Sequence, residues 1–185
     1  MRNRILDRLA LAAALVAVAA CAPADEQEEP SMQETGMPEM QAPAPDTTAA
    51  ALWAHLEGSN YSESYALWPD KGELYAGQEP HGMLLTTYLN DLALDALTNG
   101  AGAMPNGAIV VKENYMPDST LAAITIMYKA EGYNPDVGDW FWVKRLADGT
   151  VEASGRVAGC IGCHGQQAAN DYLFTGQLGG MDEME

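Results

Sequence analysis

The chain has 185 residues, of which 26 are acidic and nine are basic, and its formal net charge at pH 7 is −17. A surface this acidic repels nucleic acid and anionic lipid headgroups, which argues against a nucleic-acid-binding function. It could steer a basic partner, although a plain solvated surface is the simpler explanation of the charge.

Residues 1–20 have the pattern of an export signal. Three arginines among the first eight residues precede an apolar run, 9–20, that is too short to span a bilayer comfortably. The run ends in Val18-Ala19-Ala20-Cys21, which resembles a bacterial lipoprotein lipobox. That resemblance implies that Cys21 becomes the lipidated first residue of the mature protein. The alternative is an ordinary signal peptide in which Cys21 is incidental.

Residues 21–46 follow as an acidic segment rich in Pro, Glu, Gln, Ala and Met, with no aromatic residue. Such a composition cannot bury a core, so we predict a disordered tether between a membrane and a folded domain. The domain then occupies 47–185, a length typical of one domain.

The first half of that domain combines helices with irregular segments. Asp46 or Thr47 is expected to cap a helix that runs to Glu57 and ends at Gly58. Residues 60–80 are expected to form a packed loop with a short strand near 73–76. A strand at 83–89 leads to a short helix at 91–98, with Asn90 as its N-cap.

The second half is predicted to be mainly strands. Residues 108–115, 121–129 and 140–146 have strand composition, and a last short strand at 151–157 precedes a cysteine motif. In 121–129 the two alternating sets of side chains face opposite ways, and Trp140, Trp142 and Lys144 share a face. The predicted fold class is α+β, an antiparallel sheet with two or three helices.

The segment Cys160-Ile161-Gly162-Cys163-His164 has the C-x-x-C-H spacing of c-type haem attachment. Two thiols at this spacing can bond the two vinyl groups of one haem, and the adjacent histidine can reach the iron as its proximal ligand. The alternatives are a redox dithiol, a structural disulfide and half of a zinc site. The chain has only three cysteines, too few for a four-cysteine zinc site, and lipidation of Cys21 would leave two for haem c.

Further segments, in this order along the chain, make it resemble the cytochrome P460 family, including its relative cytochrome c-prime-beta. Each is weak alone, and together they cover most of 80–174. They are Pro80-His81-Gly82, Asn90-Asp91-Leu92-Ala93, Pro105-Asn106-Gly107-Ala108-Ile109-Val110-Val111-Lys112-Glu113, Met127-Tyr128-Lys129, Gly138-Asp139-Trp140-Phe141-Trp142, the haem motif, and Asp171-Tyr172-Leu173-Phe174.

The resemblance implies a homodimer of antiparallel sheets with a five-coordinate haem. In cytochrome P460 proper a lysine is bonded to a haem meso carbon, and the enzyme oxidises hydroxylamine to nitrogen oxides. In cytochrome c-prime-beta that bond is absent, and the protein binds small gases such as nitric oxide. A simple electron-transfer cytochrome is a third alternative, but it needs a sixth ligand that the sequence does not identify.

Lys112 is the position that matches the cross-linking lysine of the family. It lies among Ile109, Val110 and Val111, and an amine in apolar surroundings loses its proton more easily and becomes nucleophilic. The alternative is a strand lysine that reaches solvent or pairs with an acid.

Other candidates for the site are less specific. His81 could be a sixth haem ligand, although a histidine held by hydrogen bonds is the plainer interpretation. Trp140 and Trp142 could wall the haem. Distal proton carriers, which the family supplies as a carboxylate, could be Glu113, Asp139 or Thr125.

We therefore expect a periplasmic, lipid-anchored protein with one haem c. Hydroxylamine oxidation is the leading function, with electrons passing to a redox partner cytochrome. Nitric oxide binding is the second.

Overall fold

The centre of the molecule is a seven-stranded antiparallel sheet. The structure is a computed structural model and describes residues 44–179. The expected signal peptide, Cys21 and most of the expected tether lie outside the described residues. The strands are β1 (Ala66–Leu67), β2 (Tyr75–Ala76), β3 (Leu84–Leu89), β4 (Ile109–Tyr115), β5 (Leu121–Lys129), β6 (Trp140–Leu146) and β7 (Val151–Gly155).

The strands are hydrogen-bonded in the order β1-β3-β4-β5-β6-β7, and β2 pairs with β3 beside β1. Four α-helices accompany them: α1 (Ala49–Ser59), α2 (Tyr61–Ser64), α3 (Asp91–Thr98) and α4 (Ala158–His164). Short 3-10 helices cover Pro135–Val137 and Gly165–Asn170. The expected α+β class with an antiparallel sheet is confirmed, with one helix more than the expected maximum. None of the helices between residues 44 and 179 is long and apolar enough to cross a membrane.

The two faces of the sheet belong to two separate hydrophobic clusters. On one face, Leu52 and Leu56 of α1 pack with Ile124 and Ile126, and complete burial of each leucine contributes roughly 1.5–3 kcal/mol. On the other face, α3 packs with Val110 and Met127. The alternation predicted for 121–129 is therefore confirmed, because Ile124 and Ile126 lie on the α1 face and Met127 on the opposite one.

The start and end of α1 differ from the expectation. The N-cap is Thr48, neither Asp46 nor Thr47: the backbone N–H of Ala51 donates to Thr48 Oγ1 at 3.1 Å. The helix passes Gly58 and ends at Ser59, and its C-cap is Asn60, which adopts the left-handed conformation. Asparagine tolerates that conformation better than most residues, and its backbone N–H bonds back to the carbonyls of Glu57 and Leu56.

Asn90 is the N-cap of α3, as predicted. Its Oδ1 atom accepts hydrogen bonds from the backbone N–H groups of Ala93 at 3.1 Å and Ile109 at 2.9 Å. Its Nδ2 atom donates to the carbonyl of Gly107 at 2.9 Å. The cap thus joins α3 to the start of β4, and this fixes the helix over the sheet face that carries Val110.

The strand that precedes the cysteine motif is shorter than expected. Strand β7 ends at Gly155, where the predicted strand continued to 157, and Gly155 has a φ of +95° that turns the chain. The cysteines then lie in α4, which sequence reasoning did not predict. Two glycines in seven residues give α4 a low intrinsic helix propensity, so packing against the sheet stabilises it.

Candidate functional site

A cavity of about 370 Å³ lies on the sheet face opposite α1. Side chains from the three central strands line it, among them Val110, Lys112, Asn114, Thr125, Trp142 and Lys144. A wider groove of about 890 Å³ shares Lys112, His81, Cys163 and His164 with the cavity and therefore adjoins it. Both volumes fall in the range of sites for cofactors and other small molecules.

Helix α4 presents the cysteine motif to this cavity, which Cys160, Cys163 and His164 all line. Residues three and four apart share one face of a helix, so the C-x-x-C-H spacing places both thiols and the imidazole on one side of α4. Neither cysteine is in a disulfide, and burial raises the pKa of the Cys160 thiol. Two thiols that line one cavity fit covalent attachment of a group within it.

The imidazole of His164 is oriented by a single short hydrogen bond. Its Nδ1 atom lies 2.7 Å from the carbonyl oxygen of Tyr172. A carbonyl can only accept, so Nδ1 carries the hydrogen and Nε2 carries the lone pair. Burial lowers the pKa of His164, although the bond to Tyr172 raises it, and this favours the neutral form that binds metal ions. The ring also makes edge contacts with Trp142 and Phe174.

A buried ion pair stabilises the segment that contains Tyr172. Lys129 Nζ and Asp171 Oδ1 lie 2.6 Å apart, with side chains 13% and 8% exposed. Asp171 Oδ2 accepts the backbone N–H of Met104 at 2.7 Å, and the carbonyl of Asp171 accepts Trp140 Nε1 at 3.0 Å. These contacts set the position of Tyr172 and, through its carbonyl, the orientation of the His164 ring.

Lys112 extends from the middle of β4 into the same cavity. Burial lowers the pKa of its amine, as expected for a cation removed from water. No carboxylate between residues 44 and 179 lies within ion-pair distance of its Nζ atom. Lys112 is therefore not paired with an acid of the described residues. Its amine is available for chemistry in the cavity.

His81 enters the cavity from the loop between β2 and β3. The centre of its ring is 6.0 Å from that of His164, and the two planes are nearly perpendicular at 86°. Its Nδ1 atom lies 3.2 Å from Asn114 Oδ1 and 3.3 Å from Thr125 Oγ1. Burial, followed by the charges of Lys112 and His164, lowers the pKa of His81 to about 4, so the ring is neutral at pH 7.

One polar atom at the site has no partner. The Nε1 atom of Trp142 is buried, and nothing in the described part of the chain accepts its hydrogen. A buried N–H without an acceptor costs about 1–3 kcal/mol, and native proteins rarely leave one. Trp142 lines the cavity, so an acceptor on a group bound there would satisfy this donor.

Three of the predicted site residues lie elsewhere, and their assignments are corrected. Glu113 is on the α1 face, where its carboxylate accepts hydrogen bonds from Tyr61 Oη at 2.7 Å and Tyr115 Oη at 2.6 Å. Asp139 lies in the turn before β6 and accepts the backbone N–H of Asn134. Trp140 does not line the cavity, and its Nε1 atom supports Asp171.

The reason for the Glu113 error is the alternation of side chains along a strand. Lys112 and Glu113 are neighbours in β4, so they must point to opposite faces of the sheet. With Lys112 in the cavity, Glu113 joins Ile109 and Val111 on the other side. This alternation could have been recognised from the sequence alone. The bond of His164 to the Tyr172 carbonyl had no such signal, because a backbone group leaves no trace in residue type.

No group of three or more His, Cys, Asp and Glu side chains among residues 44–179 is arranged to hold a metal ion directly. In the comparison with known proteins, the family model described as cytochrome P460 matches residues 63–175. That span contains β1 to β7, α4, Lys112 and His81. No curated protein matches the chain.

Proposed function

The chain belongs to the cytochrome P460 family, and from that membership we propose that it is a mono-haem c-type cytochrome that oxidises hydroxylamine to nitrogen oxides. The observation that carries the proposal is the meeting of four groups in one cavity: two free thiols, a neutral imidazole with its Nε2 lone pair free, and the unpaired amine of Lys112. A lysine-linked haem c requires these four groups from its protein.

The residues present fit a haem. Cys160 and Cys163 would bond its vinyl groups, and His164 would bind its iron through Nε2. The orphan N–H of Trp142 would find an acceptor on the bound group, a haem carboxylate being suitable. When bound, the haem supplies an iron that binds hydroxylamine and accepts its electrons.

Lys112 is the residue that separates an enzyme from a binding protein. Its lowered pKa leaves a larger share of the amine unprotonated, and only the unprotonated amine can form a bond to carbon. A third covalent bond would hold the macrocycle rigidly against the sheet and distort it, which is one means by which a protein sets haem reactivity. It would also keep the distal side chains aligned with the substrate.

The surroundings of the site follow from the same proposal. We place the protein on the periplasmic side of a bacterial membrane, anchored through lipid on Cys21, since c-type haem is attached after export. A basic redox partner cytochrome would be drawn to the acidic surface and accept the electrons. The domain would work as a homodimer, as the family resemblance implies.

A second candidate function is nitric oxide binding of the c-prime-beta type. It is favoured by the apolar end of the cavity, where Met116, Ala122 and Leu146 contribute to the lining. A small uncharged gas needs no polar partner there. In this case Lys112 would stay unmodified, and the haem site would otherwise be the same.

Turnover of hydroxylamine by the Lys112→Leu variant tests the proposal. The variant should retain haem through Cys160 and Cys163 but lose hydroxylamine oxidation with an artificial electron acceptor. Lys144→Leu is the matched control, because Lys144 lines the same cavity but is paired with Glu152 at 2.6 Å. Turnover retained by Lys112→Leu would contradict the role given to Lys112. No turnover by the wild type would sink the enzyme assignment and leave the nitric oxide-binding candidate.

A further inference from the structure

We propose that Tyr61 and Glu113 form a redox-active site on the sheet face opposite the cavity. In it, Tyr61 is oxidised to a phenoxyl radical when a peroxide is reduced at the haem site, and Glu113 accepts the phenolic proton. The inference goes beyond hydroxylamine oxidation, but it rests on the proposed function in that it needs the haem. The observations that lead to it are a buried hydrogen bond, the position of Glu113 beside Lys112, and the aromatic rings around Tyr61.

The hydrogen bond between Tyr61 and Glu113 provides a base for the phenolic proton. Tyr61 Oη donates to Glu113 Oε1 at 2.7 Å, and each of the two residues is only 8% exposed. Burial and this bond raise the pKa of Tyr61, so the phenol keeps its proton at neutral pH. A phenol loses an electron readily only when its proton leaves at the same time, because the phenol cation radical is a very strong acid. A carboxylate at hydrogen-bond distance allows the two transfers to occur together.

Two tyrosines between residues 44 and 179, Tyr61 and Tyr115, have a hydroxyl that donates to a carboxylate, and both bond to Glu113. Tyr115 is partly exposed, whereas Tyr61 is buried. In the described structure, Tyr61 is also the one of the two that contacts other aromatic rings. A radical on Tyr61 is therefore shielded from reductants in solution, and neighbouring rings can pass an electron to it.

Three aromatic rings surround Tyr61 and lead towards the surface. Their centres are 5.5 Å away in Tyr88, 6.3 Å away in Trp53 and 6.4 Å away in Tyr65. Tyr88 is buried, whereas Trp53 and Tyr65 are partly exposed. The guanidinium of Arg145 lies 4.0 Å from the centre of the Trp53 ring, and its positive charge disfavours removal of an electron from that ring. Tyr65 is therefore the connection between Tyr61 and the surface.

Strand β4 connects Glu113 to the haem site. Lys112 and Glu113 are neighbours in β4 and point to opposite faces of the sheet, so Lys112 lines the cavity while Glu113 bonds to Tyr61. In the proposed cross-linked protein, covalent bonds run from the macrocycle through Lys112 to Glu113, and one hydrogen bond completes the path to Tyr61. Electrons tunnel more readily along bonds than across gaps. The sheet thus separates the radical from the cavity while it keeps the two sites electronically connected.

Reduction of one hydrogen peroxide to two waters takes up two electrons and two protons. Each electron is drawn from Tyr61 in turn, while its phenolic proton moves to Glu113 Oε1 and a neutral phenoxyl radical remains. A one-electron donor in solution, such as ascorbate, then reduces the radical through Tyr65, and the proton returns from Glu113. The two protons in the waters come from solvent. The external donor is oxidised in place of the haem, so the site protects the haem against peroxide.

Electron paramagnetic resonance of the haem-loaded protein, frozen after addition of hydrogen peroxide, tests the inference. The wild type should show a radical signal that narrows when the protein contains ring-deuterated tyrosine. Tyr61→Phe should lose this signal, and its haem should bleach faster under excess peroxide in the presence of ascorbate. Tyr133→Phe is the control, because Tyr133 packs against the same core but makes no side-chain hydrogen bond in the described structure. It should behave as the wild type does.

A second variant separates a proton acceptor from a merely structural partner, and it keeps the test decisive if Tyr61→Phe does not fold. In Glu113→Gln the amide can accept from one phenol and donate to the other, so both contacts remain, but the amide is not a base. The rate of radical formation should fall roughly 100-fold, the effect of losing a positioned base. In the wild type, electron–nuclear double resonance should detect a proton near the phenoxyl oxygen that exchanges in D₂O.

A radical signal unchanged in Tyr61→Phe or in Glu113→Gln would overturn the inference, as would equal bleaching of Tyr61→Phe and the wild type. No radical in the wild type, or a signal that narrows with ring-deuterated tryptophan instead, would also overturn it. Hydroxylamine turnover by the same preparations tests the proposed function separately, and Tyr61→Phe should retain it. Turnover without the radical leaves the proposed function and removes the inference, and the radical without turnover does the reverse.

Discussion

The Nδ1 atom of His164 lies 2.7 Å from the carbonyl oxygen of Tyr172, and this bond connects the cysteine motif to the segment that follows it. Tyr172 and its neighbour Asp171 both have positive φ angles, 67° and 50°. Such angles cost free energy in residues other than glycine and persist only where surrounding contacts hold them. Here the ion pair between Lys129 and Asp171 provides the contact, so the orientation of the His164 ring depends on a salt bridge outside the cavity.

We predict that Asp171→Asn destabilises the haem-loaded protein by about 3–5 kcal/mol, because the buried amine of Lys129 loses its carboxylate. The iron–histidine stretching frequency in the resonance Raman spectrum should also shift, since Tyr172 is no longer held. Lys144→Gln is the control: it breaks an exposed pair with Glu152, and exposed pairs contribute at most about 1 kcal/mol. Denaturant unfolding measures both. Equal losses of stability in the two variants would contradict the role given to the ion pair of Lys129 with Asp171.

A second prediction concerns the opposite face of the sheet, where Tyr61 donates to Glu113. Burial, and then the hydrogen bond to Glu113, raise the pKa of Tyr61 above its ordinary value. Between about pH 10, where unfolded tyrosine titrates, and the higher folded value, the unfolded chain has lost a proton that the folded chain keeps. The contribution of Tyr61 to the free energy of unfolding should therefore be constant below about pH 10 and fall as the pH rises beyond it.

Tyr61→Phe should remove part of that alkaline decline and cost about 1–3 kcal/mol at neutral pH, because Glu113 loses a buried donor. The decline does not vanish, since burial also raises the pKa of Tyr88 to about 12. Tyr133→Phe is the control, as no side-chain hydrogen bond of Tyr133 occurs in the described structure. An alkaline decline unchanged by Tyr61→Phe would mean that another group controls it.

The third prediction is that Cys160 and Cys163 hold the haem covalently. After denaturation and acid–acetone extraction, the colour should remain with the polypeptide. Cys160→Ala with Cys163→Ala should release it, whereas His164→Gly should keep the haem attached and alter its spectrum. Colour moving to the organic phase from the wild type would show that the thiols are not bonded to the haem.

The fourth prediction concerns Cys21, which lies outside the described residues. If lipid on Cys21 anchors the protein, Cys21→Ser should release it from the membrane fraction into the periplasm, because the variant lacks the thiol that would carry the lipid. Fractionation of cells that express each form measures the change. An unaltered membrane fraction would indicate an ordinary signal peptide or a different anchor.

Much of the fold could be predicted because it follows from local patterns. The period of two in β5 separated Ile124 and Ile126 from Met127, and Asn90 was recognisable as a helix cap from its position before α3. Helix α4 was not predicted, since its glycines disfavour a helix and its stability comes from contacts with the sheet. Local propensity carries no information about such contacts.

The site was predictable only in part, for the same physical reason. The C-x-x-C-H motif and Lys112 are recognisable by residue type and spacing. His81, however, is 83 residues from His164 along the chain, and its place in the cavity depends on hydrogen bonds to Asn114 and Thr125. The ion pair of Lys129 with Asp171 is similarly long-range. These contacts depend on which distant segments of the chain pair in the fold. A single sequence does not reveal that pairing.

The central claim is that Lys112 is bonded to the haem, and peptide mapping of the wild-type protein by mass spectrometry tests it most directly. The account predicts one cross-linked species that contains the haem, the Cys160–Cys163 peptide and the peptide of Lys112. Joining the lysine nitrogen to the meso carbon would remove one hydrogen from each, and an external two-electron oxidant such as dioxygen or a peroxide would take them up. The mass of the species should therefore be lower than that of the separate parts by two hydrogens. The reduced protein should also absorb differently from ordinary haem c. An unmodified Lys112 peptide together with an ordinary haem c spectrum would contradict the claim and leave nitric oxide binding as the function of the site.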